Sequence, residues 1–289
     1  MQPFGVKKLI SEALLLQPKL WLLAKEVRSL QRSREAEHLF VPFLVRPNTV
    51  AIDIGANRGV YTRIMLTRTR NVICVEPNPE NAHVLKRVFG KDVRVISGAA
   101  SNLDLDVVLR IPDADPGCAT IEADNRSFAG TFKTIHVKAF RIDNLELKNV
   151  SFIKIDVEGH ELSVLEGALE MLKRNRPSIL LEAEERHRAR AVETVREFLE
   201  PLGYEGYMLE GGALVSIRRF DSAIHQTAQA SQQKQLRRGS GAPYINNFIF
   251  LATHSGGVQV TDRDELSDRS NLVDLFSVPV PERRSRDAR

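Results

Sequence analysis

The sequence is poor in several features that would assign it to a special class of protein. Its 289 residues include only two cysteines and one tryptophan, and the formal net charge is +4. So few cysteines exclude a disulfide-rich scaffold, and Cys74, within the apolar run NVICVE, is predicted to be a buried, reduced thiol. The small net charge gives no support for nucleic-acid binding. An ordinary globular protein in a reducing compartment is therefore expected.

Long apolar runs are also absent. No stretch approaches the roughly 18 apolar residues of a membrane-spanning helix. The leucine-rich N-terminus is interrupted at Gln17-Pro18-Lys19 and lacks the continuous apolar region and small-residue cleavage site of a signal peptide. Its helical spacing predicts an amphipathic extension over residues 1–40 that packs on the domain edge, with a membrane-surface role as the alternative. We expect a soluble, cytoplasmic protein.

From Val50 onward, predicted strands and helices alternate along the chain. Strands are predicted from the apolar runs TVAIDIG, NVICVEP, VRVISG, FIKIDVEG and SILLEAE. Helices are predicted from NAHVLKRVF, ELSVLEGALEMLKR and AVETVREFLEPLG. Apolar strands joined by helices are typical of a parallel sheet covered on both faces. Two extra strands, LDVVLRIP and FKTIHVKAFRID, flank the loop 112–131, which is either a cover over an acceptor pocket or a plain connection.

The last part of the domain departs from this alternation. The segments YEGYMLEGGALVSI and NNFIFLA predict paired strands, because Gly211-Gly212 is a hairpin signal. A polar segment, 221–243, is predicted to be a flexible excursion between them. The expected organisation is a helical extension (1–40), one α/β domain (41–254) and a disordered basic tail (255–289). The domain is predicted to hold a mostly parallel, Rossmann-like seven-stranded sheet with a final antiparallel hairpin.

The first strand runs into a glycine turn, VAIDIGANRGVYT, where open α/β sheets bind their ligands. A dinucleotide turn has the pattern G-x-G-x-x-G, but here Asn57 takes the middle position between Gly55 and Gly59. Asp53 would repel phosphates, yet it would attract the sulfonium and ammonium groups of S-adenosylmethionine (SAM). Glu76 is spaced to accept hydrogen bonds from ribose hydroxyls. The alternatives are Asp53 as a helix N-cap and Glu76 as a solvated strand-end acid.

The glycine turn and the terminal hairpin together favour SAM as the cofactor. An antiparallel strand in an otherwise parallel sheet resembles the Rossmann-like class of SAM-dependent methyltransferases. The candidate cofactor-binding residues are Asp53, Gly55, Ala56, Asn57, Gly59, Tyr61, Glu76 and Asn78.

Several segments, taken in order, resemble the FkbM-type methyltransferase family. They are AIDIGANRGVYT, VEPNPENAHVLKR, GAASN, RIDNL, FIKIDVEGHELSVLEGA and ILLEAE, and the resemblance covers about residues 40–252. It implies a SAM-dependent O-methyltransferase whose acceptor is a hydroxyl of a saccharide or related natural product. The segment 221–243 and the basic tail depart from the family's pattern, and either is a candidate for shaping the acceptor mouth or binding a partner.

Candidate catalytic residues follow the strand FIKIDVEG. Lys154 and Asp156 share one face because the side-chain period of a strand is two. A lysine in so apolar a run needs an anionic partner, either Asp156 or Glu182. Asp156 is the first candidate for the base that takes the proton of the acceptor hydroxyl, with Glu158 and His160 as rivals. Lys154 is also included among the candidate catalytic residues.

Each assignment has a structural or functional alternative. Glu158 would favour the dipole of the following helix, His160 would be a packing residue, and Glu182 would only neutralise Lys154. Asp156 and Glu182 would also suit Mg²⁺, but two acids do not define a metal site and none is predicted. The main functional alternative is a SAM-binding module without catalysis, followed by an NAD-dependent oxidoreductase and an RNA methyltransferase. No nucleic-acid partner is expected, and the oligomeric state is left open.

Overall fold

The structure is a computed structural model that describes residues 36–125, 130–211, 213–227 and 244–253. Most of the predicted extension, most of the segment 221–243 and the whole predicted tail lie outside the described residues. Those parts of the predicted domain organisation stay predictions.

Eight of the described strands form the central sheet of the domain. In chain order the strands are β1 (Val50–Ile54), β2 (Asn71–Glu76), β3 (Val93–Ser97), β4 (Ala99–Ala100), β5 (Asp106–Pro112), β6 (Phe132–Phe140), β7 (Val150–Ile155), β8 (Ser178–Glu182), β9 (Tyr204–Glu210), β10 (Ala213–Ser216) and β11 (Asn247–Ala252). The order in the central sheet is β10-β9-β11-β8-β7-β1-β2-β3. The predicted count of seven strands is therefore wrong by one, because both arms of the Gly211 hairpin join this sheet.

Strand directions confirm the predicted mostly parallel sheet. Strands β3, β2, β1, β7 and β8 run parallel, whereas β11 pairs antiparallel with both β8 and β9. Strand β10 returns antiparallel to β9 as the second arm of the hairpin. The carboxyl ends of β1, β2, β7 and β8 consequently lie along one edge of the sheet.

Helices cover both faces of the sheet, as predicted. They are α1 (Val41–Leu44), α2 (Val60–Met65), α3 (Pro79–Phe89), α4 (Glu161–Glu166), α5 (Leu169–Asn175), α6 (Ala191–Leu199) and α7 (Ser222–His225). Shorter 3-10 turns are Ala36–Leu39, Gly90–Asp92, Pro116–Cys118, Ile142–Leu145, Glu200–Leu202 and Ile217–Arg219. Apolar residues of α4 to α6 pack on one face, and those of α1 to α3 pack on the other with the buried Cys74.

One predicted helix is divided in the structure. The segment ELSVLEGALEMLKR forms α4 and α5 rather than one continuous helix, with the break at Gly167. A Cβ at Gly167 would lie 1.9 Å from the carbonyl oxygen of Ser101, so the backbone here packs directly on another segment. This close approach holds the start of α5 beside β4.

The two extra strands predicted around loop 112–131 form a small separate sheet. Its order is β4-β6-β5, with β5 and β6 antiparallel. Because β4 directly follows β3, this small sheet brings the loop after β5 to the carboxyl edge of the central sheet. Among the described helices, none is both long and apolar enough to cross a membrane.

Candidate active site

Two adjoining cavities open at the carboxyl ends of β1, β2 and β7, as far as the described residues define them. The first, here the Glu76 cavity, has a volume of about 40 Å³, and the second, the Lys154 cavity, has a volume of about 490 Å³. Both are partly walled by the same residues: Gly55, Asn57, Asn81, Pro116, Gly117 and Asp156. The Lys154 cavity falls within the usual size range of small-molecule sites, whereas the Glu76 cavity is a narrow extension of it.

Glu76 places a carboxylate in the otherwise largely apolar Glu76 cavity. It is only 4% exposed, so it is not the solvated strand-end acid of the alternative interpretation. Its Oε2 accepts the backbone N–H of Asn57 at 2.7 Å and its Oε1 that of Asn78 at 2.8 Å. Burial raises the pKa of Glu76 to about 7, against the opposing effect of these hydrogen bonds. The side chain of Asn81 is also hydrogen-bonded to this carboxylate, so only part of its acceptor capacity remains for a further donor.

The turn glycines are required by contacts within the chain. Gly55 has φ +75°, and a Cβ there would lie 1.7 Å from the carbonyl oxygen of Asp156. Gly59 has φ +83°, and a Cβ there would lie 2.5 Å from the ring of Phe89. Asn57, between them, also has a positive φ of 48°. The close packing of the turn therefore explains both glycines, and their contact with a cofactor stays a prediction.

Asp53 lies in β1, is buried beneath the glycine turn and is hydrogen-bonded to the first turn of α2. The hydroxyl of Thr62 donates to its Oδ2 at 2.5 Å, and Asp53 is 1% exposed. The N-cap residue of α2 is Gly59, so Asp53 is not the N-cap proposed as an alternative. Burial raises the pKa of Asp53 to about 6, while Thr62 and Lys154 oppose that rise. Its negative charge borders the Lys154 cavity.

Lys154 supplies the positive charge of the same cavity. It is fully buried, and its ammonium group donates to the carbonyl oxygen of Ile155 at 3.1 Å. Its Nζ lies 3.6 Å from Oδ2 of Asp156, which confirms Asp156 as an anionic partner. The ring centroid of Tyr61 lies 5.0 Å from the same Nζ. These contacts fix the ammonium group next to the carboxylate of Asp156.

The three acid–base candidates differ in how far their side chains are engaged. Asp156 lies at the junction of the two cavities with its side chain 31% exposed. Glu158 pairs through Oε2 with Nε2 of His187 at 2.9 Å. The ring of His160 contacts Glu122 at 2.5 Å and Ser101 at 3.0 Å. Asp156 is thus the candidate best placed to meet a ligand in either cavity.

The remaining cofactor candidates are placed differently. Ala56 and Tyr61 line the Lys154 cavity. Asn78 is absent from the described walls of both cavities and instead caps α3, where its side chain accepts the N–H of Glu80 at 3.0 Å. Sequence reasoning missed Asn81, which lies on α3 and lines both cavities. Its position in the first turn of α3, soon after the strand-end Glu76, was a signal for it.

The loop after β5 covers the Glu76 cavity. We call residues 113–125 the cover loop, and Pro116, Gly117 and Thr120 are part of the cavity wall. The Thr120 hydroxyl and the Asn125 amide both donate to the carbonyl oxygen of Glu158, at 2.8 and 2.7 Å. This part of the loop therefore forms a wall of the Glu76 cavity, and the predicted cover over an acceptor pocket stays a prediction.

Strand-end acids of β7 and β8 lie near each other without forming a metal cluster. Burial, and secondarily Asp156, raise the pKa of Glu182 well above its usual value, while Lys154 opposes that rise. The amide of Asn246 donates to Glu182. Within the described ranges, no group of three or more His, Cys, Asp or Glu side chains is arranged to hold a metal ion.

Buried acids make the stability of the domain depend on pH. Glu161 is 4% exposed, and burial raises its pKa to about 7 against hydrogen bonds from backbone amides. The folded protein then holds this proton more tightly than the unfolded chain does, so stability falls as pH rises from about 4.5 to about 7. Because one pKa unit corresponds to about 1.4 kcal/mol, we expect this group to cost about 1–3 kcal/mol between about pH 5 and about pH 7.5.

Urea unfolding of Glu161→Gln at these two pH values measures that cost. The variant should lose less stability than the wild type on going to the higher pH. Glu170→Gln, at an exposed position of the next helix, is the matched control and should behave as the wild type. Equal pH dependence in all three proteins would contradict the assignment to Glu161.

The doubly wound, mostly parallel sheet with ligand-sized cavities at its carboxyl edge defines a Rossmann-like domain of the methyltransferase type. The model of the methyltransferase FkbM domain matches residues 53–205, which is more than half of the chain. The chain therefore belongs to the FkbM methyltransferase family. Among curated proteins, no sequence matches significantly.

The chain is similar to several solved structures at low sequence identity and low TM-score. The methyltransferase FkbM from Methylobacillus flagellatus is 15% identical, with a TM-score of 0.43 over 79% of this chain and 60% of that chain. An O-methyltransferase from Bacillus cereus, solved in complex with SAH, is 13% identical, with a TM-score of 0.41 over 82% and 91%. The tRNA methyltransferase TrmK from B. subtilis is 12% identical, with a TM-score of 0.38 over 77% and 68%. The chain thus spans 60% of the length of the FkbM structure that it matches.

Proposed function

We propose that this chain is a SAM-dependent O-methyltransferase that acts on a hydroxyl of a neutral, polyhydroxylated acceptor such as a saccharide or related natural product. The observation that carries the proposal is the junction of the two cavities. There a partly exposed carboxylate, Asp156, lines both the Glu76 cavity and the Lys154 cavity. Membership of a methyltransferase family supports the reaction class.

The side chains that line the Glu76 cavity suit the adenosine part of SAM. Val75, Leu109 and Ile121 offer apolar surface for a flat base, and the lone pairs of Glu76 suit ribose hydroxyls. In the Lys154 cavity, Asp53 and Lys154 offer opposite charges for the ammonium and carboxylate ends of an amino acid. A pyrophosphate fits less well, since the carboxylate of Asp53 already accepts from the first turn of α2.

Bound SAM supplies an electrophilic methyl group, and the chain supplies position and a base. Asp156 is the proposed acceptor of the hydroxyl proton, because its side chain reaches both cavities. Lys154 orients Asp156 through the contact of 3.6 Å. The cover loop keeps water out of the Glu76 cavity, which favours transfer to the acceptor over hydrolysis.

The charges of the Lys154 cavity favour a neutral acceptor. Its described wall includes three acidic residues, Asp53, Asp115 and Asp156, and two basic residues, Arg58 and Lys154. An RNA or a phosphorylated acceptor would need an excess of positive charge, which these residues do not provide. Carboxylates and the amides of Asn57 and Asn81 are suited to hydroxyl groups as donors and acceptors.

Calorimetric titration of the full chain with SAM and, separately, with NAD tests the cofactor. We expect SAM to bind and NAD not to bind, and Glu76→Gln to weaken SAM about ten- to a hundredfold, since a hydrogen bond to a charged group contributes about 1.5–3 kcal/mol. Glu80→Gln, at an exposed position of α3, is the matched control and should bind SAM as the wild type does. Binding of NAD instead of SAM would refute the proposal, and SAM binding without transfer to any hydroxylated acceptor would favour the non-catalytic module.

A further inference from the structure

His187 lies outside the described walls of both site cavities, yet it is bonded to two segments that form them. It follows β8 and is 5% exposed. Its Nε2 lies 2.9 Å from Oε2 of Glu158, and its Nδ1 lies 3.2 Å from Oδ1 of Asn125. One imidazole ring therefore joins the turn after β7 to the end of the cover loop.

The same residues close a ring of contacts around the Glu158 backbone. The amide of Asn125 donates to the carbonyl oxygen of Glu158 at 2.7 Å, beside the Thr120 hydroxyl at 2.8 Å. Glu158 has φ +55°, a conformation that a residue with a side chain keeps only when its surroundings hold it. His187 supplies that restraint on the side chain, and Asn125 and Thr120 supply it on the carbonyl group.

We propose that His187 is a positioning residue, which holds the cover loop and the Glu158 turn closed over the Glu76 cavity without touching the cofactor. This proposal rests on the proposed function only in one respect: SAM is the ligand used in the second of its two tests. Loss of His187 removes its contacts with the side chains of Asn125 and Glu158 and leaves the hydrogen bonds to the Glu158 carbonyl group, so the cover loop is held less firmly and opens more often. A ligand that binds the closed form then has a lower apparent affinity, in proportion to the closed fraction.

The charges around His187 keep it protonated at neutral pH. Glu158, Glu184 and Glu161 face the ring with Arg186, and Glu184 also accepts from Arg186 and Tyr244. Burial opposes the charge, but hydrogen bonds to Glu158 and Glu184 outweigh it and raise the pKa of His187 to about 9. The stabilising contact is fully present below pH 6.5 and is lost as pH rises through about 9.

Hydrogen exchange of the full chain without ligand tests the contact independently of any cofactor. We expect His187→Ala to exchange the amides of residues 113–125 about tenfold faster than the wild type, with the central strands unchanged, because exchange reports local opening. His83→Gln, at an exposed position of α3, is the matched control and should exchange as the wild type. After correction for intrinsic rates, wild-type protection of the loop should fall between about pH 7 and about pH 10, a step that His187→Ala lacks.

Calorimetric titration of the His187 variants with SAM is the second test of the proposal. His187→Ala should weaken SAM about tenfold, which is ~1.4 kcal/mol, and His187→Gln, which retains one donor, should weaken it less. Unchanged exchange of the cover loop, or equally faster exchange throughout the sheet, would overturn the positioning role. Faster loop exchange in a protein that does not bind SAM would uphold the positioning role and refute the cofactor assignment instead.

Discussion

Replacing Asp156 by asparagine is expected to slow methyl transfer by about a hundred- to ten-thousandfold, the usual contribution of general-base catalysis. The amide is nearly isosteric with the carboxylate and retains its place beside Lys154, but it does not accept the proton of a hydroxyl group. Transfer of labelled methyl from SAM to a saccharide that the wild type methylates measures the loss. SAM affinity should change little, since Asp156 acts on the acceptor.

Two comparisons separate the role of Asp156 from general damage. Asp92→Asn, at an exposed position of the 3-10 turn after α3, should transfer methyl groups at the wild-type rate. Glu158→Gln should retain more activity than Asp156→Asn, because the Glu158 side chain is engaged by His187. Full activity of Asp156→Asn would refute its assignment as the base and return Glu158 and His160 to consideration.

Gly55→Ala is expected to destabilise the protein by about 4 kcal/mol or more, a loss large enough to unfold many domains. A Cβ at this position would lie 1.7 Å from the backbone oxygen of Asp156, and φ is +75°. Neither the turn nor the end of β7 is free to move, because β1 and β7 pair along their length. Urea unfolding followed by circular dichroism measures the change.

Comparison with Gly90→Ala separates the steric clash of a Cβ at Gly55 from the effect of backbone strain. Gly90 also has a positive φ, +59°, but nothing lies within 4 Å of an added Cβ. It should therefore cost about 1–3 kcal/mol through backbone strain, less than Gly55→Ala, because residues with a side chain rarely adopt its φ of +59° and ψ of −121°. Equal losses in the two variants would contradict the tight packing of the glycine turn on β7.

The sequence predicted the elements whose signal is local. The runs around β1, β2, β7 and β8 are apolar and bounded by turn residues. They were therefore identifiable as buried parallel strands before it was known which strands they pair with. The division between α4 and α5 was not predictable, because Gly167 is placed there by the backbone of Ser101, which is far away in the sequence. A contact between two backbone segments so far apart in the sequence produces no periodic pattern of residues from which it could be predicted.

The site residues show the same difference between local signals and long-range contacts. Asp156 and Glu76 were predicted from their positions at strand ends, and the structure places both at cavity walls. Asn78 was assigned to the cofactor although its position before Pro79 is typical of an N-cap. His187 was missed, because its contact with Glu158 joins loops after two different strands.

The eighth strand changes what the sheet presents to other molecules. Without β10, the seven-residue strand β9 would stand at the end of the sheet with one row of backbone groups unpaired. Strand β10 pairs with β9 and is only four residues long. A short terminal strand offers few sites for edge-to-edge addition of a second chain, which is a common protection against aggregation in β proteins. The Gly211 hairpin thereby leaves only this four-residue strand at that end of the described sheet.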